Sequence, residues 1–218
     1  MSIKRLLITA GSVLALLPLS AHADRMNYSY IQATGLINTD LESSGADADG
    51  DGLGLRGGWI MGPYLFADGR YDDVDLNNDT DARTGALRLG LRKSIENLQS
   101  PLRLDIYGML AVEAAEIESG ATELLNDEGV GLVAGLRFGP VEPVEIGVEY
   151  NYTDLGDSSA DFFAVEGIWN VSRWFGLVIE YRTGEYDVDG GPGIDRDDLN
   201  LGIRVQFGGD ERRGYRRL

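Results

Sequence analysis

The chain has 218 residues, of which 36 are Asp or Glu and 19 are Lys or Arg, so its formal net charge at pH 7 is −17. Such acidity argues against binding to nucleic acid or to another anionic surface. The chain has no cysteine and one histidine, His22, so thiol chemistry and His-based catalysis are excluded for nearly its whole length.

The first 23 residues have the pattern of a secretory signal peptide. Basic residues at positions 4 and 5 precede an apolar run over 6–19, and Ala-His-Ala at 21–23 is a typical cleavage site. The apolar run is shorter than the roughly 20 residues that a transmembrane helix needs. We therefore expect cleavage before Asp24 and export of a mature chain that has no histidine and a net charge of −19.

From residue 27 onwards, apolar and polar residues alternate in ten segments, as in β-strands with one apolar face. Turns rich in Gly, Pro and Ser alternate with longer acidic stretches between them, which is typical of successive hairpins. Each segment has about the ~9–11 residues of a membrane-crossing strand, and an even number of strands places both chain ends in the periplasm. In chain order the segments are 27–37, 53–61, 64–71, 84–93, 102–115, 129–138, 144–153, 162–171, 174–183 and 200–207.

One face of these segments carries no charge. Its apolar residues are Leu53, Leu55, Leu65, Leu87, Leu89, Leu91, Leu104, Ile106, Leu110, Val112, Val130, Leu132, Leu136, Val144, Ile146, Val148, Val165, Leu177, Ile179, Leu201, Ile203 and Val205. Aromatic residues end this face on both sides, namely Trp59, Phe138, Trp169, Phe175 and Phe207 near the turns and Tyr71, Tyr150, Tyr152, Phe163 and Tyr181 near the acidic stretches. Two aromatic belts around an apolar band match the two interfaces of a membrane. A soluble β-sandwich gives no reason for aromatic residues to collect at both ends.

The opposite face is polar and carries nearly balanced charge. Its ionic residues are Arg56, Arg70, Arg88, Arg92, Arg103, Arg137, Arg182 and Arg204, with Asp68, Asp105, Glu113, Glu145, Glu149, Glu166 and Glu180. A narrow barrel has little more room than its own side chains fill, so we expect these groups to form an ion-pair network in the lumen. Balanced charge favours a closed structural barrel over a selective channel, and a small diffusion porin is the alternative.

The acidic stretches are predicted to be outer loops. Residues 38–52, 72–82, 116–128, 154–161 and 185–198 hold 24 of the 36 acidic residues and a single basic one, Arg196. Solvation of the loop tips is the simplest interpretation, and binding of divalent cations is the alternative. Asp47, Asp49 and Asp51 resemble the first half of a calcium loop, but Gly58 stands where such a loop needs a bidentate Glu, so this metal candidate is weak. No cofactor or catalytic residue is predicted.

Three short stretches resemble a known family. They are Tyr28-Ser-Tyr-Ile-Gln-Ala-Thr-Gly, the run from Asp47 to Gly58, and Tyr64-Leu-Phe-Ala-Asp-Gly-Arg-Tyr. In layout, 24–207 is similar to small outer-membrane β-barrel proteins of the porin-family and OmpA-like transmembrane type. The resemblance implies residence in the outer membrane and insertion by the barrel-assembly machinery, with Phe207 as an assembly signal. It implies no shared catalytic residue, and family members usually lack an extension such as 208–218.

The sequence therefore predicts an all-β protein, a single antiparallel up-and-down barrel of ten strands in a Gram-negative outer membrane. Residues 1–23 are the cleaved signal, 24–207 the barrel and 208–218 a basic periplasmic tail. Outer-membrane lipid and lipopolysaccharide are the expected partners of a monomer that binds no nucleic acid. Eight strands remain possible because 162–171 is a weak strand, and a soluble exported ligand-binding barrel is the alternative from another class.

Overall fold

The computed structural model describes Met26 and residues 28–43, 46–77, 79–96, 103–120, 122–141 and 143–207. The predicted signal peptide and the basic tail lie outside these residues. Within the described part of the chain there is no helix that is long and apolar enough to cross a membrane.

The described residues form ten strands that close into one barrel, in the order β1-β10-β9-β8-β7-β6-β5-β4-β3-β2. Every neighbouring pair of strands is antiparallel. The strands of each pair are consecutive in the chain, except for β1 and β10, which close the barrel. The strands are β1 Tyr30–Ser43, β2 Ala46–Ile60, β3 Leu65–Leu76, β4 Thr80–Glu96, β5 Arg103–Ser119, β6 Thr122–Val141, β7 Val144–Asp154, β8 Ser158–Asn170, β9 Phe175–Val188 and β10 Ile194–Gln206. The ten-stranded prediction is confirmed, and the eight-stranded alternative is wrong because β8 pairs along its length with β7 and β9.

The uncharged face predicted from the alternation points outwards. Its large apolar side chains are exposed around the wall, with Leu53 72% and Leu110 68% accessible. A continuous exposed apolar band of this size is unfavourable in water and marks contact with an apolar medium. The strands therefore present to their surroundings the surface that a bilayer requires.

The strands are longer than predicted, and the prediction of long acidic loops is wrong. At the end of the barrel that holds the acidic stretches, here called the loop end, only residues 44–45, 77–79, 120–121, 155–157 and 189–193 lie between strands. The alternation continues through these stretches with its polarity reversed. In β3, for example, Val74 and Leu76 are buried in the lumen while Asp73 and Asp75 face outwards. The barrel wall thus extends beyond the apolar band as a water-facing wall.

Carboxylates lie directly opposite one another around this extended wall, which we call the acidic rim. Two rows each cross five neighbouring strands, Asp161, Glu185, Asp195, Glu42 and Asp47 in one and Asp51, Asp75, Asp81, Glu118 and Glu123 in the other. Like charges at opposed positions of a sheet repel and destabilise it. The rim therefore lowers the stability of the barrel that carries it.

Removing one rim charge should increase stability. Asp49 lies opposite Asp40, and a hydrogen bond shared with Asp40, together with the charge of Asp47, raises the pKa of Asp49 above its ordinary value. We expect Asp49→Asn to raise the urea midpoint at neutral pH and low salt, with the gain shrinking as salt rises. A carboxyl whose pKa is higher in the folded state favours folding more as the pH falls, so the gain should also shrink in acid.

The matched control for this variant is Asp187→Asn. Asp187 is an exposed rim carboxylate that lies opposite Ser159, so its removal relieves no direct cross-strand repulsion. Equal gains for both variants would show that net charge alone is responsible and would contradict the local explanation.

Candidate functional site

Two apolar clusters and a network of ionic side chains, here called the ionic layer, fill the lumen. An apolar cluster closes the loop end and consists of Leu36, Leu41, Val74, Leu76, Ala82, Ala115, Ile117, Leu125, Leu155, Ala160, Phe162, Tyr186 and Ile194. A second apolar cluster lies towards the opposite end, here called the turn end, and consists of Met26, Tyr28, Ile60, Phe66, Met109, Ala111 and Val133. Most of the ionic side chains lie between the two clusters, whereas Arg92, Asp105 and Arg137 lie nearer the turn end than Met109 and Val133 of the second cluster. The expectation of a polar lumen throughout is therefore wrong at the loop end, while the turn end holds apolar and ionic side chains together.

Two arginines bring together carboxylates from different sides of the barrel at the centre of the ionic layer. Arg56 bonds Asp68 Oδ2 from Nε at 3.1 Å and Glu149 Oε2 from Nη2 at 3.2 Å. Arg88 bonds Glu149 Oε1 at 2.6 Å and Glu113 Oε1 at 3.1 Å. Because these residues come from β2, β3, β4, β5 and β7, the contacts fasten the wall across the lumen as well as along it.

Neutral polar groups donate further hydrogen bonds to the carboxylates of Glu113, Glu149 and Asp68. Glu113 accepts from the Thr153 hydroxyl at 2.7 Å and from the Asn151 amide at 2.9 and 3.0 Å. The Tyr107 hydroxyl donates to Glu149 at 3.1 Å, and the Tyr30 hydroxyl donates to Asp68 at 2.9 Å. Buried charge is tolerated only when such bonds satisfy it, and at the centre of this layer they satisfy all four carboxylate oxygens of Glu113 and Glu149, while Arg88 Nε and Asp68 Oδ1 have no hydrogen-bond partner among the described residues.

On the loop side, a second group of ion pairs lies beneath the apolar cluster. Arg70 contacts Asp72 at 2.7 Å and Glu180 at 2.9 Å, and Arg182 reaches Asp72 at 3.5 Å. Arg196 Nε lies 3.0 Å from both carboxylate oxygens of Asp198.

On the turn side, Arg204 is fully buried and joins three strands. Its Nη2 lies 2.6 Å from Glu166 Oε1, its Nε donates to Gln32 at 2.8 Å, and its guanidinium lies 4.0 Å from the centre of the Tyr30 ring. Arg137 lies 3.6 Å from Glu166 and 4.0 Å from Glu145. Asp105 pairs with Arg92 at 3.4 Å.

The structure places every residue of the predicted lumen set on the inner face, with Arg103 half-buried near the turn end. Three further ionic residues, Asp72, Arg196 and Asp198, belong to the same layer although the sequence assigned them to exposed loops. Extending the alternation beyond the predicted strand ends would have found them. Asp72 lies two residues after Arg70, and Arg196 and Asp198 lie four and two residues before Asn200, so each shares the inner face of its strand. The prediction of an exposed Arg196 is wrong because β10 begins before it, at Ile194.

A small cavity of about 20 Å³ lies between the ionic layer and the loop-end cluster, with Arg70, Arg182 and Phe162 among its lining residues. Such a cavity holds roughly one water molecule.

The weak calcium candidate lies outside the lumen. Asp47, Asp49 and Asp51 are exposed on the outer face of β2, where an extended strand spaces them apart instead of folding them around an ion. Across the described residues, no group of three or more acidic side chains is arranged to hold a metal ion. The loop conformation that the calcium hypothesis assumed is therefore wrong.

A closed antiparallel barrel with an exposed apolar band and a charged lumen is the architecture of a transmembrane β-barrel. The family model of the outer membrane protein beta-barrel domain matches residues 9–207. The chain belongs to this family, and its resemblance to small outer-membrane barrels is confirmed. Membership implies the Gram-negative outer membrane as its location.

Solved structures similar to this chain are also outer-membrane barrels. Neisserial surface protein A is 17% identical, with 82% of this chain and 96% of that chain covered and a TM-score of 0.40. OprG from Pseudomonas aeruginosa is 14% identical, with 85% and 100% covered and a TM-score of 0.40. The outer membrane protease OmpT from Escherichia coli is 11% identical, with 87% and 99% covered and a TM-score of 0.44. None of these likenesses carries information about function, and no curated protein matches the chain in sequence.

Proposed function

We propose that this protein is a closed, non-enzymatic outer-membrane barrel with a structural or cell-surface role. The observation that carries the proposal is the filled lumen, in which an ionic network packs together with two apolar clusters. Export by the signal peptide, insertion by the barrel-assembly machinery and contact with lipopolysaccharide complete the proposal.

The side chains that fill the lumen oppose conduction for two separate reasons. In the ionic layer, hydrated ions would have to separate paired charges such as Arg56–Glu149 and Arg88–Glu149, which leaves buried charge uncompensated. At the loop end, Leu36, Val74 and Ile117 are almost completely inaccessible to solvent. Apolar constrictions of this kind exclude water and so act as barriers to ions.

The non-enzymatic role is supported by the residues available for chemistry. The chain has no cysteine, and its only histidine lies in the predicted signal peptide. The lumen carboxylates that a glycosidase-type reaction would use, such as Glu145 and Glu149, lie in contact with arginines. They serve as partners for buried cations and are not open to a substrate.

Conductance in a planar lipid bilayer tests the closed lumen. We expect the refolded protein to insert without steady conductance steps, because hydrated ions would have to separate the paired charges and pass the apolar cluster at the loop end. A porin of known conductance, reconstituted in the same way, is the control for insertion and detection. Steady, ohmic steps from the wild-type protein would overturn the closed barrel and favour the diffusion-porin alternative.

A further inference from the structure

At the loop end, strand β6 extends beyond its neighbour β7 and has an open edge there. β6 begins at Thr122, but its pairing with β7 begins only at Val130, which lies opposite Asp154. Between Thr122 and Asn126, β5 is the only strand that pairs with β6 among the described residues. In an antiparallel ladder every second residue of such an edge directs its N–H and C=O away from the existing partner.

The lower part of this edge is covered by the β7–β8 connection. A Cβ at Gly129 would strike the carbonyl oxygen of Asp154, and the Ser158 hydroxyl donates to Asp127 at 2.9 Å. Above that point, Glu123, Leu124 and Asn126 are exposed. The accessible part of the edge therefore spans the first residues of β6, at the loop end, and is about the length of a short peptide strand.

The charge around this edge has one sign. Glu123, Asp127 and Glu128 lie on β6, Asp154 ends β7, and Asp157 lies in the β7–β8 connection. The described residues from 114 to 161 include one basic side chain, Arg137, and it is buried in the lumen. A second copy of this acidic edge would be repelled, whereas a cationic strand would be attracted.

We propose that the upper edge of β6 is a docking site for a basic, extended peptide segment, which adds to the barrel wall as a further antiparallel or parallel strand. Backbone hydrogen bonds supply the affinity, and alternate Lys or Arg side chains beside the acidic residues supply the selectivity. The inference rests on the proposed cell-surface role for its assumption that the loop end faces outwards. The docking itself can be tested without a membrane.

The test uses the full-length protein refolded in detergent micelles and a fluorescent ten-residue peptide of alternating lysine and threonine. The comparison peptide has the same sequence with every backbone amide N-methylated, so that its charge is kept while its N–H donors are removed. We expect the unmodified peptide to bind in fluorescence anisotropy, more weakly as salt rises, and the methylated peptide to bind at least about tenfold more weakly. Carbonyl-labelled peptide should give a β-strand amide I band when bound.

Two double variants locate the binding on the protein. Glu123→Gln with Asp157→Asn removes charge at the open edge, and Asp75→Asn with Asp81→Asn removes the same charge where the strands are paired on both sides. We expect only the first pair to weaken the binding. Equal binding of both peptides, equal loss in both variants, or no binding of the unmodified peptide would each overturn the proposal. None of these outcomes would contradict the proposed closed lumen, because that proposal is tested by the conductance measurement alone.

Discussion

Arg88→Met is expected to destabilise the barrel by about 3–5 kcal/mol, because removing one member of a buried ion-pair network leaves its partners uncompensated. The Arg88 side chain is 3% exposed and contacts Glu149, Glu113 and Asp68. Methionine fills a similar volume but donates no hydrogen bond. The free energy of unfolding, measured by urea titration in lipid vesicles, checks the prediction.

Arg83→Met is the matched control, since it lies on the same strand with its side chain on the outer wall. The Arg83 side chain is 37% exposed and lies 3.1 Å from Asp73, which is itself 46% exposed. Ion pairs in water contribute little, so we expect a loss below about 1 kcal/mol. Similar losses for the two variants would contradict the distinction between lumen and surface on which the closed barrel depends.

Leu110→Arg is expected to cost about 2–4 kcal/mol, because it places a charge in the lipid-facing band near the middle of the membrane. Leu110 lies on β5 between Leu89 of β4 and Leu132 of β6, and all three are exposed on the outer wall. The measurement is again urea unfolding in lipid vesicles.

The control for this position is Leu124→Arg. Leu124 is also exposed, but it lies in the part of β6 above the first residue that pairs with β7. Since that region faces water, we expect little change in stability. A harmless Leu110→Arg would favour the soluble exported barrel, whose outer surface has no reason to reject a charge.

The alternation was sufficient to predict ten strands and their outward faces. In β10, Leu201, Ile203 and Val205 are exposed while Arg204 is buried, as the period of two requires. The same alternation continues at the strand ends, but the predicted strand ends were wrong because acidic residues such as Asp73 and Asp75 were taken as signs of a loop. They are strand residues whose outer face has passed from lipid into water.

The pairing of residues within the candidate site could not be predicted from the sequence. The arginines and acids of the lumen can be assigned to one face by parity, but their partners cannot, because Arg56 and Glu149 are 93 residues apart and come together only in the closed barrel. The apolar clusters were missed for a related reason. Tyr186 and Ile117 belong to strands that are far apart in the chain and meet at one level of the lumen.

The sequence by itself determined which residues share a face, since successive side chains of a strand point to opposite sides. It also determined that one of those faces was fit for a membrane. Only the tertiary structure decided which medium each face meets along the barrel, whether lipid, water, ionic lumen or apolar plug. The physical reason is that this choice depends on the height of a residue above the membrane, which strand pairing, stagger and closure set together.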